Sequence, residues 1–255
     1  MSYFAGSGHY FQLNPITDSV LFTAGTVLLI TDYNLSGFKG QTFNGTPFDR
    51  STVNRFDRWA MRSYTKSLDS TGDVFMAVAL ASPLLLAVTD RHEWIPILIM
   101  YGEAVMIAQG VKELMKAFIY RPRPYMYFDG YPQKGIDTRD WMNSFPSGHT
   151  TMSFLGASFT TFVFWTYFPL SRWRIPLTIG VYGVAAATAV LRMASGNHFF
   201  TDVLAGAVLG SLIGVGVPLL HRIGVARRVS TAARRRTSSP ELTLLPNGAL
   251  VTVRF

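Results

Sequence analysis

The chain has 255 residues, enough for one large domain or two small ones, and 49% of them are hydrophobic while only 15% are charged. A soluble domain carries about 25% charged residues, so this composition, with a mean hydropathy of +0.23, argues against a disordered chain and favours a membrane-embedded one. The absence of cysteine excludes disulfide scaffolds and thiolate metal sites. The net charge of +8 has to be located before it indicates a partner.

Six long segments of the chain are free of charged residues, apart from a single interruption at Glu103. They lie at 19–31, 74–89, 94–111, 150–171, 175–191 and 203–220. A helix needs about 20 residues to cross the hydrocarbon core, so 150–171 is long enough alone and the others are with their flanks. We therefore predict an all-α membrane bundle of six transmembrane helices. The first segment is short, and a buried or interfacial helix is its alternative.

The segments outside the last five helices carry less information. Residues 53–64 place apolar side chains three and four apart, which indicates either an interfacial helix or a loop helix packed on the bundle.

The predicted helices and loops divide the chain into three parts. They are a first helix with its amphipathic loop (1–72), a catalytic bundle (73–222) and a C-terminal tail (223–255).

The tail contains the basic, Ser/Thr-rich stretch 226–240, which cannot build a core and is expected to be flexible. We expect it to attract anionic membrane lipid at about 1 kcal/mol per basic residue, and not nucleic acid, because no folded basic surface accompanies it. Two short apolar runs around Pro246 and Gly248 offer a short terminal hairpin, but an isolated hairpin is marginally stable, so we expect a disordered tail.

Three polar clusters interrupt the apolar second half, and in a six-helix arrangement all three fall on one side of the membrane. The first ends the third helix, where Lys116 is followed by Arg123 and Pro124. The prolines here forbid helix continuation and hold Arg123 on an extended segment. A lysine point charge and a bidentate arginine suit a phosphate, although basic residues ending a membrane helix are also common lipid anchors.

The second cluster opens the fourth helix with Ser147, Gly148 and His149. Backbone N–H groups and the Ser147 hydroxyl can face an anion at this helix N-terminus, where the helix dipole adds to the attraction. An ordinary N-cap would explain Ser147 but would leave His149 unexplained.

The third cluster joins the fifth and sixth helices and contains Arg192, His198 and Asp202. If the sixth helix begins near Asn197, His198 and Asp202 share a face, and the carboxylate can hold one imidazole nitrogen. The other nitrogen is then free to act as nucleophile or base.

The order and spacing of these clusters resemble the three-part signature of the type 2 phosphatidic acid phosphatase (PAP2) superfamily over roughly residues 70–220. The resemblance implies that Lys116, Arg123, Ser147, Gly148 and Arg192 hold a phosphate. It also implies that His198 attacks phosphorus, Asp202 orients His198, and His149 protonates the leaving oxygen. No metal or other cofactor is implied, since three cations can stabilise the transferred phosphoryl group.

One position departs from the family pattern, in which a serine usually precedes the third-motif arginine. Leu191 stands there, so we expect one hydrogen bond near Arg192 to be lost.

Two glutamates in the third predicted helix need partners as well. Glu103 is expected to face the bundle interior and either pair with a cation or be protonated, and Glu113 is expected to pair with Lys116 or Lys112.

The resemblance also implies an amphiphilic phosphorylated lipid as substrate, of the phosphatidate, phosphatidylglycerophosphate, undecaprenyl diphosphate or lipid A type. Residues 125–145 are a candidate lid that selects the headgroup. By likeness to bacterial members we expect a multi-pass inner-membrane protein whose site faces the periplasm, while the oligomeric state is left open. The alternatives are a soluble acid phosphatase or vanadium haloperoxidase of the same superfamily, or a membrane protein that binds or transports lipid without catalysis.

Overall fold

The computed structural model describes residues 10–35, 42–223, 241–245 and 248–252. Its framework consists of six long helices, namely α1 (Pro15–Leu35), α2 (Lys66–Leu80), α3 (Trp94–Phe118), α4 (Gly148–Tyr167), α5 (Arg174–Ala194) and α6 (Phe200–Leu220). Shorter helical pieces connect them at Arg50–Thr52, Arg55–Arg58, Ser82–Val88, Arg91–Glu93, Pro124–Tyr127, Gln133–Asp137 and Asp140–Met142. The two apolar runs of the tail, which we expected to be disordered, form the alternative hairpin of antiparallel strands β1 (Glu241–Leu245) and β2 (Gly248–Thr252). The basic stretch 226–240 lies outside the described residues.

Four helical stretches of the described chain are long and apolar enough to cross a membrane. They are Lys66–Val88, Arg91–Phe118, Arg174–Ala194 and Phe200–Leu220. The other two expected spans exist as helices but differ from these four. The apolar part of α1, Pro15–Thr31, is shorter, and α4 is a 20-residue helix interrupted by several Ser and Thr residues. A helical bundle with four candidate spans is thus established, and the count of six stays a prediction.

Helix α4 lies at the centre of the bundle and packs against α2, α3, α5 and α6. Most of its Ser and Thr side chains are buried among these neighbours. The Thr160 hydroxyl lies 2.9 Å from the Ser82 hydroxyl, and the Ser158 hydroxyl lies 2.8 Å from the Tyr182 hydroxyl. Neighbouring segments thus supply hydrogen-bond partners for Thr160 and Ser158, which makes these polar residues tolerable inside the bundle.

A row of glycines brings α6 against the backbone of α4. A Cβ at Gly206, Gly210 or Gly214 would stand 2.6, 2.1 or 2.6 Å from a carbonyl oxygen of α4 or of its N-cap residue. Small residues four apart allow helices in membranes to approach this closely. The contact fixes the N-terminal ends of α4 and α6 side by side, and the Ser147 backbone N–H donates to the Asp202 carbonyl at 3.0 Å.

Candidate active site

A cavity of about 560 Å³ lies at the end of the bundle where α2, α4 and α6 begin and α3 and α5 end. Six of the eight predicted site residues line it: Lys116, Arg123, Gly148, His149, Arg192 and His198. The remaining two, Ser147 and Asp202, are fully buried behind its wall. The structure therefore brings the three sequence clusters together around one space.

The imidazole of His198 is held in one tautomer. Its Nδ1 lies 2.7 Å from the Ser144 carbonyl oxygen, and a carbonyl can only accept, so Nδ1 carries the proton. The unprotonated Nε2 lies 3.4 Å from Nη1 of Arg123, which can only donate. Burial, together with the positive charges of Arg123 and Arg192, lowers the pKa of His198 well below its usual value. His198 is thus a neutral imidazole with a nucleophilic nitrogen at the cavity.

Asp202 does not make the direct hydrogen bond to His198 that the four-residue spacing predicted. Helix α6 begins at Phe200, not near Asn197, and the Asp202 carboxylate turns back to cap it. Its Oδ2 accepts from the Phe199 backbone N–H at 2.8 Å and from the Ser144 hydroxyl at 2.6 Å, and it lies 3.8 Å from His198 Nδ1. Asp202 therefore acts on His198 through Ser144, whose carbonyl holds the ring.

The loop that carries His198 depends on one glycine. Gly196 has φ +77°, and a Cβ there would stand 2.6 Å from the Arg62 carbonyl oxygen. Its own carbonyl accepts from the Tyr125 backbone N–H at 3.0 Å, which ties this loop to the segment after Arg123. A residue with a side chain would be strained in this conformation, so Gly196 helps to set the position of His198.

Arg123 projects into the cavity from an extended residue before Pro124, as the sequence predicted. Its Nη2 pairs with the Asp140 carboxylate at 2.7 Å, and its Nη1 donates to Asn197 Oδ1 at 3.2 Å. Burial disfavours the charged guanidinium, but the Asp140 charge outweighs it and the pKa of Arg123 is raised. The sequence did not identify Asp140 or Asn197 as part of the site.

At the start of α4, Ser147 caps the helix and Gly148 leaves room for a cation. The Ser147 hydroxyl oxygen accepts from the Thr150 backbone N–H at 3.4 Å. A Cβ at Gly148 would lie 3.3 Å from the Nζ of Lys112, a buried lysine one helical turn before Lys116. Lys112 lines the same cavity and is a further cation that the spacing argument did not assign to the site.

Each of the predicted cations has a carboxylate beside it. Glu113 contacts both Lys112 and Lys116, the latter at 3.4 Å, as expected for this glutamate. Arg192 pairs with Asp69 at the start of α2. These carboxylates hold the cations at the cavity.

Part of the Arg192 guanidinium makes no hydrogen bond to the described residues. Its Nε is buried without a hydrogen-bond partner among the described residues, in line with the bond expected to be lost at Leu191. The Tyr64 hydroxyl donates to Asp69 Oδ2 at 2.8 Å and keeps the paired carboxylate in place. Burial and the Asp69 charge raise the pKa of Tyr64 to about 12, so this phenol stays a donor.

His149 contacts a residue that the sequence analysis left out. Its Nε2 lies 2.7 Å from Oδ1 of Asp73, one helical turn after Asp69 on α2. A carboxylate accepts hydrogen bonds, so His149 carries a proton on Nε2. Asp69 and Asp73 stand just before the apolar run that begins at residue 74, and this four-residue spacing of carboxylates was the signal available in the sequence.

A second layer of charges supports the site from the loop between α1 and α2. Arg121 contacts both Asp202 and Asp57, and Asp57 also accepts from the Thr201 backbone N–H at 2.9 Å. Burial alone would raise the pKa of Asp57. The hydrogen bonds from Thr201, Asn54 and Arg121 together have the larger effect, so the pKa lies below its usual value. Segment 53–64 is therefore anchored to the site, while Phe56 and Trp59 remain exposed.

Helices of membrane-spanning length thus gather five cationic side chains and two histidines around one cavity, an arrangement suited to an anionic ligand. Residues 97–223 match the family model of the PAP2 superfamily. The chain belongs to this superfamily, as the three motifs predicted.

Several known proteins are similar to this chain. A PA-phosphatase related-family protein from Dictyostelium discoideum is 26% identical over 167 residues, which are 58% of this chain and 59% of that protein. The lipid A 1-phosphatase of Porphyromonas gingivalis is 38% identical over 72 residues, 28% of this chain and 15% of that protein. The chain thus spans less than two thirds of the length of either relative.

Among solved structures, the transmembrane PAP2 type phosphatidylglycerolphosphate phosphatase of Bacillus subtilis matches with a TM-score of 0.46 at 20% identity. This match covers 81% of the present chain and 97% of that chain.

Proposed function

We propose that this protein is an integral membrane phosphatase that hydrolyses lipid phosphate monoesters or diphosphates through a phosphohistidine intermediate, without a metal ion. The observation that carries the proposal is the environment of His198. Its unprotonated Nε2 faces the cavity beside Arg123, and Lys116, Arg192 and His149 line the same space. A protein that only bound phosphate would have no need of a histidine fixed in one tautomer.

In the proposed first step, His198 Nε2 attacks phosphorus in line with the leaving oxygen. The N–P bond forms as the P–O bond breaks, and His149 in its doubly protonated form gives a proton to the leaving alkoxide or phosphate. Burial and the charge of Arg192 lower the pKa of His149 to about 4, so the negative charge of the bound phosphate has to raise this pKa before His149 can act as the acid. In the second step, His149 takes a proton from water, the hydroxide attacks phosphorus and the N–P bond breaks. Inorganic phosphate and both histidines in their initial states result.

The cations stabilise the charge that collects on the three equatorial oxygens of the transferred group. Lys116, Arg123 and Arg192 serve this role, together with the Gly148 backbone N–H at the start of α4. Asp202 holds Ser144, and through it His198. The carboxylates paired with these cations, Glu113, Asp140 and Asp69, compete with the phosphate, which favours a highly charged substrate.

Amphiphilic phosphates are the substrates that this arrangement fits, since the cavity opens at the ends of apolar helices. The relative named as lipid A 1-phosphatase acts in the same chemical class. Pro132, Lys134 and Thr138 line the cavity and support the proposal that residues 125–145 contact the headgroup. We further propose six spans, a bacterial inner-membrane location and a periplasmic site.

The test is phosphate release by detergent-purified protein from a panel of lipid and water-soluble phosphates in the presence of EDTA. His198→Ala should lower turnover about 10³-fold or more, because the nucleophile is gone. His92→Ala, an exposed histidine before α3, is the matched control and should keep full activity. Release that is equal in wild type and His198→Ala, or absent with every substrate, would overturn the proposal.

A rapid acid or alkali quench with a ³²P-labelled substrate tests the intermediate itself. Phosphohistidine is stable to alkali and labile to acid, so the label should remain on alkali-quenched wild-type protein and be absent from His198→Ala. A label that survives acid, or that persists without His198, would contradict the proposed nucleophile.

A further inference from the structure

Three ionisable side chains from three different helices meet at the end of the bundle opposite the active-site cavity. Asp18 lies in the first turn of α1, Glu103 lies inside α3, and His221 follows the last residue of α6. The Nε2 of His221 is 2.9 Å from Oδ1 of Asp18 and 3.5 Å from Oε2 of Glu103. The side chains of His221 and Glu103 are fully buried, and that of Asp18 is 18% exposed.

The protonation of His221 leaves this cluster short of positive charge. Its Nδ1 lies 2.9 Å from the Val217 carbonyl oxygen, so Nδ1 carries a proton. In a neutral imidazole, Nε2 would then present its lone pair to two carboxylates, which is repulsive. A doubly protonated ring would still offer only one N–H to two carboxylates.

Glu103 shows the same deficit from the other side. Neither of its carboxylate oxygens has a hydrogen-bond partner among the described residues, although both are buried. The buried Glu93, by contrast, accepts from the Tyr167 hydroxyl at 2.6 Å. A buried ionised carboxylate without a donor is strongly disfavoured, so Glu103 is either protonated or held by a cation.

We propose that Asp18, Glu103 and His221 bind a divalent transition-metal ion, with Zn²⁺ as the best match. Two carboxylates balance its charge and a neutral imidazole completes a three-ligand set, so the buried cluster carries no net charge. Two ligand atoms bound to one tetrahedral metal ion at 2.0–2.1 Å are roughly 3.3 Å apart. The His221 Nε2 lies 2.9 Å from the Asp18 oxygen and 3.5 Å from the Glu103 oxygen, close to this separation. The imidazole ligand disfavours Mg²⁺ and Ca²⁺, which take oxygen ligands.

The proposed ion would fasten three helices at the end of the bundle away from the catalytic histidine. The first helix, α1, packs on α3 through Gly25 and Gly110, and the segment before it is tied to α6 by the Gln12 backbone N–H donating to the His221 carbonyl at 2.8 Å. Metal ligands from α1, α3 and α6 would add a crosslink between these contacts. Binding to the folded state alone would then raise the melting temperature.

The test uses the full chain, purified in detergent and stripped with EDTA, with Zn²⁺ as the only added metal. Equilibrium dialysis followed by elemental analysis should find about one Zn²⁺ per chain, and thermal denaturation should show a higher melting temperature with Zn²⁺ than with EDTA. Glu103→Gln and His221→Gln should each weaken binding by about 100-fold. Glu93→Gln and His198→Ala should bind as wild type does, which separates this site from the catalytic histidine.

Asp18→Asn serves as a second test of the ligand set if the buried variants fail to fold, because Asp18 is partly exposed. Co²⁺ offers a readout on the wild-type protein alone, since tetrahedral coordination gives intense visible absorption. The proposal is overturned if the wild type binds no stoichiometric Zn²⁺ at micromolar concentration, or if binding persists in Glu103→Gln and Asp18→Asn. Neither readout depends on phosphatase activity, so a failure of the proposed function would leave this test intact.

Discussion

The Nε2 of His149 lies 2.7 Å from Oδ1 of Asp73, in the cavity that His198 also lines. This contact joins a residue of the second motif to a helix that carries none of the three motifs. It makes Asp73 a positioning residue for the proton that the proposed mechanism delivers to the leaving group.

Replacing Asp73 by Asn should lower kcat about 10-fold and leave KM nearly unchanged, because the side chain that orients His149 loses its charge. Steady-state kinetics on the best substrate of the panel measure both constants. Asp73→Glu should restore part of kcat, and Asp90→Asn, an exposed aspartate before α3, should change neither constant. A kcat of Asp73→Asn equal to that of wild type would show that His149 works without this contact.

Lys112 should contribute to substrate binding, since its Nζ lies at the cavity next to Gly148. We expect Lys112→Met to raise KM about 10-fold, the effect of losing one charge-assisted contact to phosphate, with a small change in kcat. Lys66→Met, at the exposed start of α2, is the matched control. If both variants have the same KM as wild type, Lys112 serves only to pair with Glu113.

The glycine row of α6 should be sensitive to a single methyl group. In Gly210→Ala the new Cβ would stand 2.1 Å from the Thr151 carbonyl oxygen, so the helices must separate, at a cost of about 1–3 kcal/mol. Thermal denaturation in detergent should show a lower melting temperature. Gly216→Ala, on the same helix with nothing within 4 Å of its Cβ, should melt no lower than wild type. Equal melting temperatures for the two variants would contradict the close packing of α4 and α6.

The buried His198 should make the protein less stable in acid. Because the folded state lowers the pKa of His198 below the usual value of 6.5, the unfolded chain binds a proton first as the pH falls through that range. The resulting loss is at most about 1.4 kcal/mol per pH unit, and it begins near pH 6.5 and continues down to the folded-state pKa. Melting temperatures from pH 7.5 to 5 should therefore fall more steeply for wild type than for His198→Gln. Parallel curves would mean that His198 has an ordinary pKa.

The motifs could be found from the sequence because they depend on short spacings and on residues that break an apolar pattern. Lys116, Arg123, His149, Arg192 and His198 were all predicted in this way, and the structure brings them to one cavity. Their convergence follows from helices that alternate in direction and so place the three motifs at one end of the bundle.

The partners of these residues could not be found in the same way. Asp69 and Asp73 precede an apolar run, and a search for uncharged segments begins the helix at residue 74, whereas α2 begins at Lys66. Spacing also misled at Asp202, because a helix that begins at Phe200 directs this carboxylate to its own first turn and leaves the Ser144 carbonyl to hold His198. Which carbonyl faces a ring depends on tertiary packing, which local periodicity does not encode.

The contact between α4 and α6 also determines which parts of the site can adapt. Where Gly210 meets Thr151 there is no side chain on α6 whose rotamer could change, so backbone rests on backbone and the two helices behave as one stiff body. The N-terminal end of α4 at Ser147 and the loop bearing His198 are attached to this pair of helices. Headgroups of different size are therefore accommodated by the start of α2 and by the segment around Lys134, where longer side chains form the walls of the cavity.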